Sequence, residues 1–456
     1  MAVADYFDDD IIVHANTQRL AWGVMLISFT IFCSLVFGGI LTSYLFLFES
    51  RVPIETWVEV GRGTALLTDE SVEGRGLRLR EDITNRSLSI STDSQSQTNV
   101  LFYMPGQNHR RLLAVATLKN NSETSLIQAQ MPRFWWSHGQ YEIRWQGFRG
   151  EASILVLKDN GRPLTMWVEA ARGGTVQING SGHYNISAND SRLRVTTHEG
   201  EAVVYGMEQR LNRLVLRGQS GAVLYGIAEP VVSPSRRNLL VNSAFALSVD
   251  SQVNGETSTY PPGRWGCTNV QDALPRGVFR MDYWDGRSAL RLLRRDNAST
   301  HGETGCRQPI EVASSDVSSY NFMEIEATFL ISYQSLSACG IQGSECPLML
   351  KLVYDDIYGI RRDWFQGFYA VRNAELDYPL RCVSCSQDHL QINEKVWYTF
   401  ETGNLFNAIP PEQRPARLHL LEFYASGHQY DVFVSDLGVF VGYVDVMPSG
   451  ASSSGG

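Results

Sequence analysis

The sequence predicts an all-β ectodomain of antiparallel β-sandwich or jelly-roll units, joined to one N-terminal transmembrane helix. Three observations lead there. A single uncharged apolar run covers Ala21 to Phe48. Beyond it, short alternating stretches are separated by turn-forming residues, with no long amphipathic helix among them. Six of the seven cysteines lie in the C-terminal half, an even number that suits an oxidising compartment.

The span comes first. Roughly 20 apolar residues cross a bilayer core, so the 21–48 run is long enough to cross with some tilt. Trp22 stands at one end and Tyr44 near the other, where amphipathic rings prefer the headgroup zone. The run is about twice the length of a signal-peptide apolar core, and no small-residue cleavage site precedes Glu49-Ser50-Arg51. A retained anchor is therefore expected, behind a short tail of residues 1–20. Gly38-Gly39 would let a second helix approach, which allows a homo-oligomer. Arg19 and Arg51 flank the span and do not decide its orientation. The cysteines do: six in the bulk domain place it outside, with the N-terminus cytoplasmic. The simplest pairing is Cys339–Cys346, Cys382–Cys385 and Cys267–Cys306. A zinc site on the four close cysteines is the competing reading, and only Cys382-Val-Ser-Cys385 has the spacing for it.

The chain has 456 residues, 43% hydrophobic and 11% aromatic, with a net charge of −9. That is enough apolar material for real cores and excludes wholesale disorder. The acidic balance argues against a nucleic-acid partner, which would want a basic face.

Residues 55–232 carry the strand signal. Gly76–Arg80, Ser87–Ser91 and Arg192–Thr196 alternate apolar and polar residues, while Asn99–Met104 and Glu201–Tyr205 are more continuously apolar. Pro105-Gly106, Asp159-Asn160-Gly161, Gly173-Gly174, Asn179-Gly180 and Glu199-Gly200 supply turns. A pattern recurs through Gly174-Thr-Val-Gln-Ile, Gly182-His-Tyr-Asn-Ile, Ser191-Arg-Leu-Arg-Val and Gly200-Glu-Ala-Val-Val, closing with Leu214–Leu224. Over about residues 60–228 this resembles the FecR-like domain of bacterial envelope proteins. The resemblance implies a β-scaffold; family members that relay signals to a sigma factor do so through a folded cytoplasmic domain, for which a tail of 20 residues is too short.

Glu229–Arg237 is rich in Pro and Ser, and 233–237 reads as a linker. A second unit, 238–445, opens with Asn238-Leu-Leu-Val-Asn-Ser-Ala-Phe245 and ends in His428–Phe440. These segments resemble the first and closing strands of galactose-binding-like jelly rolls, the fold of many carbohydrate-binding modules. Residues 446–456, rich in Ser and Gly, read as a flexible tail.

No metalloprotease, nucleophile-elbow or phosphate-loop motif is present, so catalysis is not expected. Ligand binding is. Tyr354–Tyr369 concentrates aromatic, acidic and basic residues in one hairpin-like stretch. Trp364 and Tyr369 are candidate stacking faces, and Asp355, Asp356 and Arg362 candidate hydroxyl partners, for a glycan. Strand alternation would send half of these inward, where a sandwich Trp packs in the core. Trp135 and Trp136 form a second patch, suited to a protein partner; in a strand, one of the two must face outward. No EF-hand loop occurs; exported β-domains can hold a structural calcium in their loops, but no ligand set stands out. The expected protein is non-catalytic and binds a glycan or an envelope protein. A signal-relay or assembly subunit and an exported carbohydrate-active enzyme are the alternatives.

Overall fold

The computed structural model describes residues 9–69, 72–104, 111–137, 139–157, 162–245, 250–251 and 264–443. The turns expected at 105–106 and 159–161, and the tail 446–456, lie outside these. Two compact units result, 1–53 with 130–141 and 54–129 with 142–456.

In the first unit a 36-residue helix, Asp9–Tyr44, is followed by a π-helical turn, Leu45–Glu49. The apolar stretch Gln18–Glu49 has no buried residue. The Thr30 hydroxyl donates to the Leu26 carbonyl at 2.7 Å, and Thr42 likewise to Gly38. Hydroxyls satisfied within the helix are what a hydrocarbon environment requires. After the helix, Arg51–Pro53 pairs antiparallel with residues 132 to 130.

The second unit holds both halves of the ectodomain. In its first half, Gln97–Met104 and Arg111–Leu118 form a ladder that continues through Tyr141–Val156 to Gly182–Ala188, Arg192–Glu199 and Gln219–Leu224. A second ladder runs Leu164–Ala170, Thr175–Asn179, Glu201–Tyr205, Asn212–Leu216. Alternation sorts their side chains: Leu193, Val195 and Val223 of one ladder and Val176, Val204 and Val215 of the other are buried. Gly221 shows how closely the layers meet, since a Cβ there would lie 2.4 Å from Val215 Cγ2. The turn glycines Gly173, Gly174, Gly180 and Gly200 all have positive φ, the conformation their turns require.

The second half is a sandwich of two sheets. One runs Val278–Trp284, Arg287–Arg294, Tyr430–Gly442, Phe322–Gln334, Tyr398–Glu401; the other runs Gly266–Gln271, Gly302–Pro309, Pro415–Gly427, Leu348–Asp356, Arg361–Tyr369. Between them lies a core that includes Leu292, Ile325, Phe329, Leu350, Phe368, Phe423 and Val439. The opening segment meets the closing strand, with Arg237 opposite Val441 and Asn238 opposite Phe440. Strand structure stops there, although the Leu239 N–H still donates to the Val439 carbonyl at 2.8 Å.

Residues 233–237 run from one half into the other with both ends held: Val231–Pro234 pairs with the 219–224 strand, and Arg237 with the closing strand. Between them Arg236 lies 3.5 Å over the Phe322 ring and 2.6 Å from Glu324. The outer face of the first jelly-roll sheet packs on the scaffold through polar groups. Gln97 Nε2 donates to the Thr399 carbonyl at 2.7 Å while its Oε1 accepts from the Thr399 N–H at 2.8 Å. Asn99 Nδ2 donates to the Trp397 carbonyl at 2.6 Å and Oδ1 accepts from Thr117. Two side chains thus occupy the open edge of the strand 398–401 as a neighbouring strand would. Close by, Lys119 is paired with Glu401, with Glu151 at 3.9 Å. Burial favours losing its proton, but the carboxylates of Glu401, Glu326 and Glu151 outweigh that and push its pKa up. At the other end of this joint Asp285 accepts from Arg80 at 2.9 Å and from the Tyr103 hydroxyl at 2.6 Å.

Candidate functional site

The second jelly-roll sheet turns its outer face away from this joint. Along Leu348–Asp356 the residues Leu348, Leu350, Leu352 and Tyr354 point into the core, so Lys351, Val353 and Asp355 point out. Register then sets four side chains in a row across four strands: Arg307, Glu422, Lys351 and Phe365. At about 4.8 Å per strand this row is about 14 Å long. The neighbouring row is Gly305, Tyr424, Met349 and Gly367. A Cβ on Gly305 would stand 2.4 Å from Tyr424 Cβ, so glycine gives the tyrosine side chain its room.

Charge surrounds the two rings. Lys351 Nζ lies 3.2 Å from Asp363 and 5.4 Å from the centre of the Phe365 ring. Burial pushes the Glu422 carboxyl up, against the opposing pull of Lys351 and Arg307. Burial also pushes the Tyr424 phenol up, reinforced by the carboxylates of Glu303, Glu422 and Asp363. Half-buried rings beside paired carboxylates and cations offer the two contacts a sugar needs, a stacking face and planar hydrogen-bonding groups.

Two disulfide-closed loops wall one end of this face. Cys339–Cys346 and Cys382–Cys385 are bonded, as is Cys267–Cys306, whose residues sit opposite each other in the ladder facing the core. The first two pack with Met349 and Tyr369, and Phe365 and Tyr424 lean against that cluster. His389 ties the loops to the sheet: Nδ1 accepts from the Gly367 N–H at 3.0 Å and Nε2 donates to the Gly343 carbonyl at 2.7 Å. Each cysteine pair lies within ligating distance of His389. With the four sulfurs in S–S bonds and both ring nitrogens in use, the cluster does not fit zinc.

The sequence-predicted residues separate. Trp364 is 5% exposed and faces the core beside Leu352, so its ring offers no face to a ligand. Tyr369 points to the outer side but is roofed by the disulfide loops, at 3% exposure. Asp356 and Arg362 lock a turn: Asp356 Oδ2 accepts from Arg362 Nε at 2.7 Å, and Oδ1 accepts from the Tyr358 and Ile360 N–H groups. Asp355 alone lies on the open face, 2.7 Å from both Arg361 Nε and His419 Nε2. Trp135 and Trp136 occupy a turn, so alternation does not apply, and both are exposed. Tyr424 and Phe365, which the register brings to the open face, were not singled out from the sequence, because alternation separates a strand's two faces without saying which one is outward.

No family model matches the chain, and no curated protein matches it. Solved structures do, at low similarity. A protein described as an anti-sigma factor from Parabacteroides distasonis is 17% identical, over 32% of this chain and 59% of its own, with a TM-score of 0.22. One described as a sugar-binding protein from Bacteroides thetaiotaomicron is 13% identical over 45% of this chain and 100% of its own, TM-score 0.26. A family 11 carbohydrate-binding module from Clostridium thermocellum, solved with a mixed-linked tetrasaccharide, is 9% identical over 40% and 89%, TM-score 0.23.

Proposed function

We propose that this is a non-catalytic, membrane-anchored envelope protein whose jelly roll binds a polysaccharide chain on its open face. The observation that carries this is the pairing of Tyr424 and Phe365 with the charged row Arg307, Glu422 and Lys351. The face is a shallow sheet surface about 14 Å across, suited to a chain laid over it. Three disulfides support placing the ectodomain in an oxidising compartment, with the helix 18–49 as anchor and the N-terminus cytoplasmic. A protease that reaches only the outer surface of intact cells would then spare an N-terminal tag and cut the ectodomain.

The direct test is a glycan array probed with the full chain in nanodiscs. Tyr424→Ala and Phe365→Ala should each reduce binding at least tenfold while the far-ultraviolet circular dichroism shows the fold retained, at the modest loss of stability that truncating a half-buried ring brings. Binding that survives both substitutions would exclude this face, and no binding to any glycan would overturn the reading.

A further inference from the structure

We infer that the turn bearing Trp135 and Trp136 is a second membrane contact, seated in the headgroup layer beside the anchoring helix; this rests on reading residues 18–49 as a membrane span. Within the first unit, the Ser137 hydroxyl donates to the Leu47 carbonyl at 2.9 Å, and the Arg133 N–H to the Ser50 carbonyl at 3.0 Å. Phe134 packs on Phe46 with ring centres 5.7 Å apart, and Trp136 stacks on Phe134 at 4.8 Å. The turn is therefore fixed to the last turn of the apolar helix. Gln18–Glu49 holds 32 residues, and at 1.5 Å each they rise about 48 Å, past a hydrocarbon core of about 30 Å. The 22 positions from Trp22 to Tyr44 rise about 33 Å, which places both rings at the two edges of that core.

Phe46 and Leu47 then lie at headgroup depth, and so does whatever is bonded to them. Trp135 is 83% exposed there and Trp136 43%. Indole is the side chain best suited to this layer, with an apolar body for the acyl boundary and an N–H for the headgroups. Arg133, also exposed, stands 5.4 Å over the Phe46 ring and adds a cation beside lipid phosphates. A protein partner would need this surface to stand clear of lipid, whereas the Ser137 and Phe134 contacts hold it at the membrane.

The test uses the full chain reconstituted in nanodiscs whose lipids carry a nitroxide on the headgroup. Tryptophan emission is compared for wild type, Trp22→Phe, and Trp135→Phe/Trp136→Phe. Each variant should lose a distinct part of the quenching, with the double variant losing at least as much as Trp22→Phe. Quenching that depends on Trp22 but is unchanged in the double variant would overturn the second contact and leave the anchor standing. Quenching that depends on neither would overturn the span and the second contact together.

Discussion

The two outer faces of the jelly roll are built from similar residues and meet opposite fates. The face of the first sheet carries Glu324, Glu326 and Arg287, buried beneath the scaffold, with Asp436 half-buried beside them. The face of the second carries Glu422, Lys351, Arg307 and Asp363, half-buried or exposed. Burial leaves the first set little tolerance for error, because a charge that loses its partner there has no water to replace it. The second set can exchange its pairings for those of a ligand at small cost. The same chemistry therefore serves cohesion on one side and, in the function proposed above, recognition on the other.

That contrast can be broken most severely at Lys119. Lys119→Met removes the cation facing Glu401 and Glu326 and should destabilise the ectodomain by about 3–5 kcal/mol in chemical denaturation. A loss below 1 kcal/mol would show the joint to be open to water. Gln97→Ala strips two hydrogen bonds from Thr399 and should cost about 1–3 kcal/mol by the same measurement.

The pH dependence sharpens the comparison. Burial pushes Glu59 up to about 7, beyond what Arg80 pulls back, and Asp436 up to about 6. Folded carboxyls that hold protons above their unfolded range contribute stability at low pH and lose it as pH rises through the folded value. Burial, aided by Arg287, presses His183 down to about 4, so its contribution is present above about 6.5 and is lost as pH falls through 4. Between pH 6 and 8 the carboxyls pull the denaturation midpoint down, and His183, which loses its unfolded-state proton near about 6.5, offsets part of that fall in the lower half of the window. Glu59→Gln should flatten that decline; an unchanged slope would place its titration elsewhere. Least of all should be felt at the open face, where Arg361→Ala breaks an exposed pair with Asp355 and should cost under about 1 kcal/mol.

Much of the architecture was legible in residue patterns. Period-2 runs such as Ser87–Ser91 and Arg192–Thr196 became strands with alternating burial, and the three simplest cysteine pairings formed. The hairpin 354–369 formed as expected, and the side chains singled out on it separate between the core, a turn and the open face. An aromatic residue on a strand reads the same whether its side faces core or solvent, and parity had to be fixed by the facing sheet. Trp364 fell inward with Leu352, and Tyr369 fell outward only to be roofed. The joint was illegible for a different reason: Gln97, Asn99 and Thr399 are separated by about 300 positions, and nothing local marks an amide that will bond a distant backbone.

Those amides have a consequence beyond cohesion. A sheet's last strand is a template onto which any extended chain can add, and proteins that leave it bare are prone to assemble edge to edge. Here Gln97 and Asn99 stop the strand 398–401 from recruiting a neighbour. A jelly roll expressed without residues 54–234 would present that strand uncapped and should self-associate in solution.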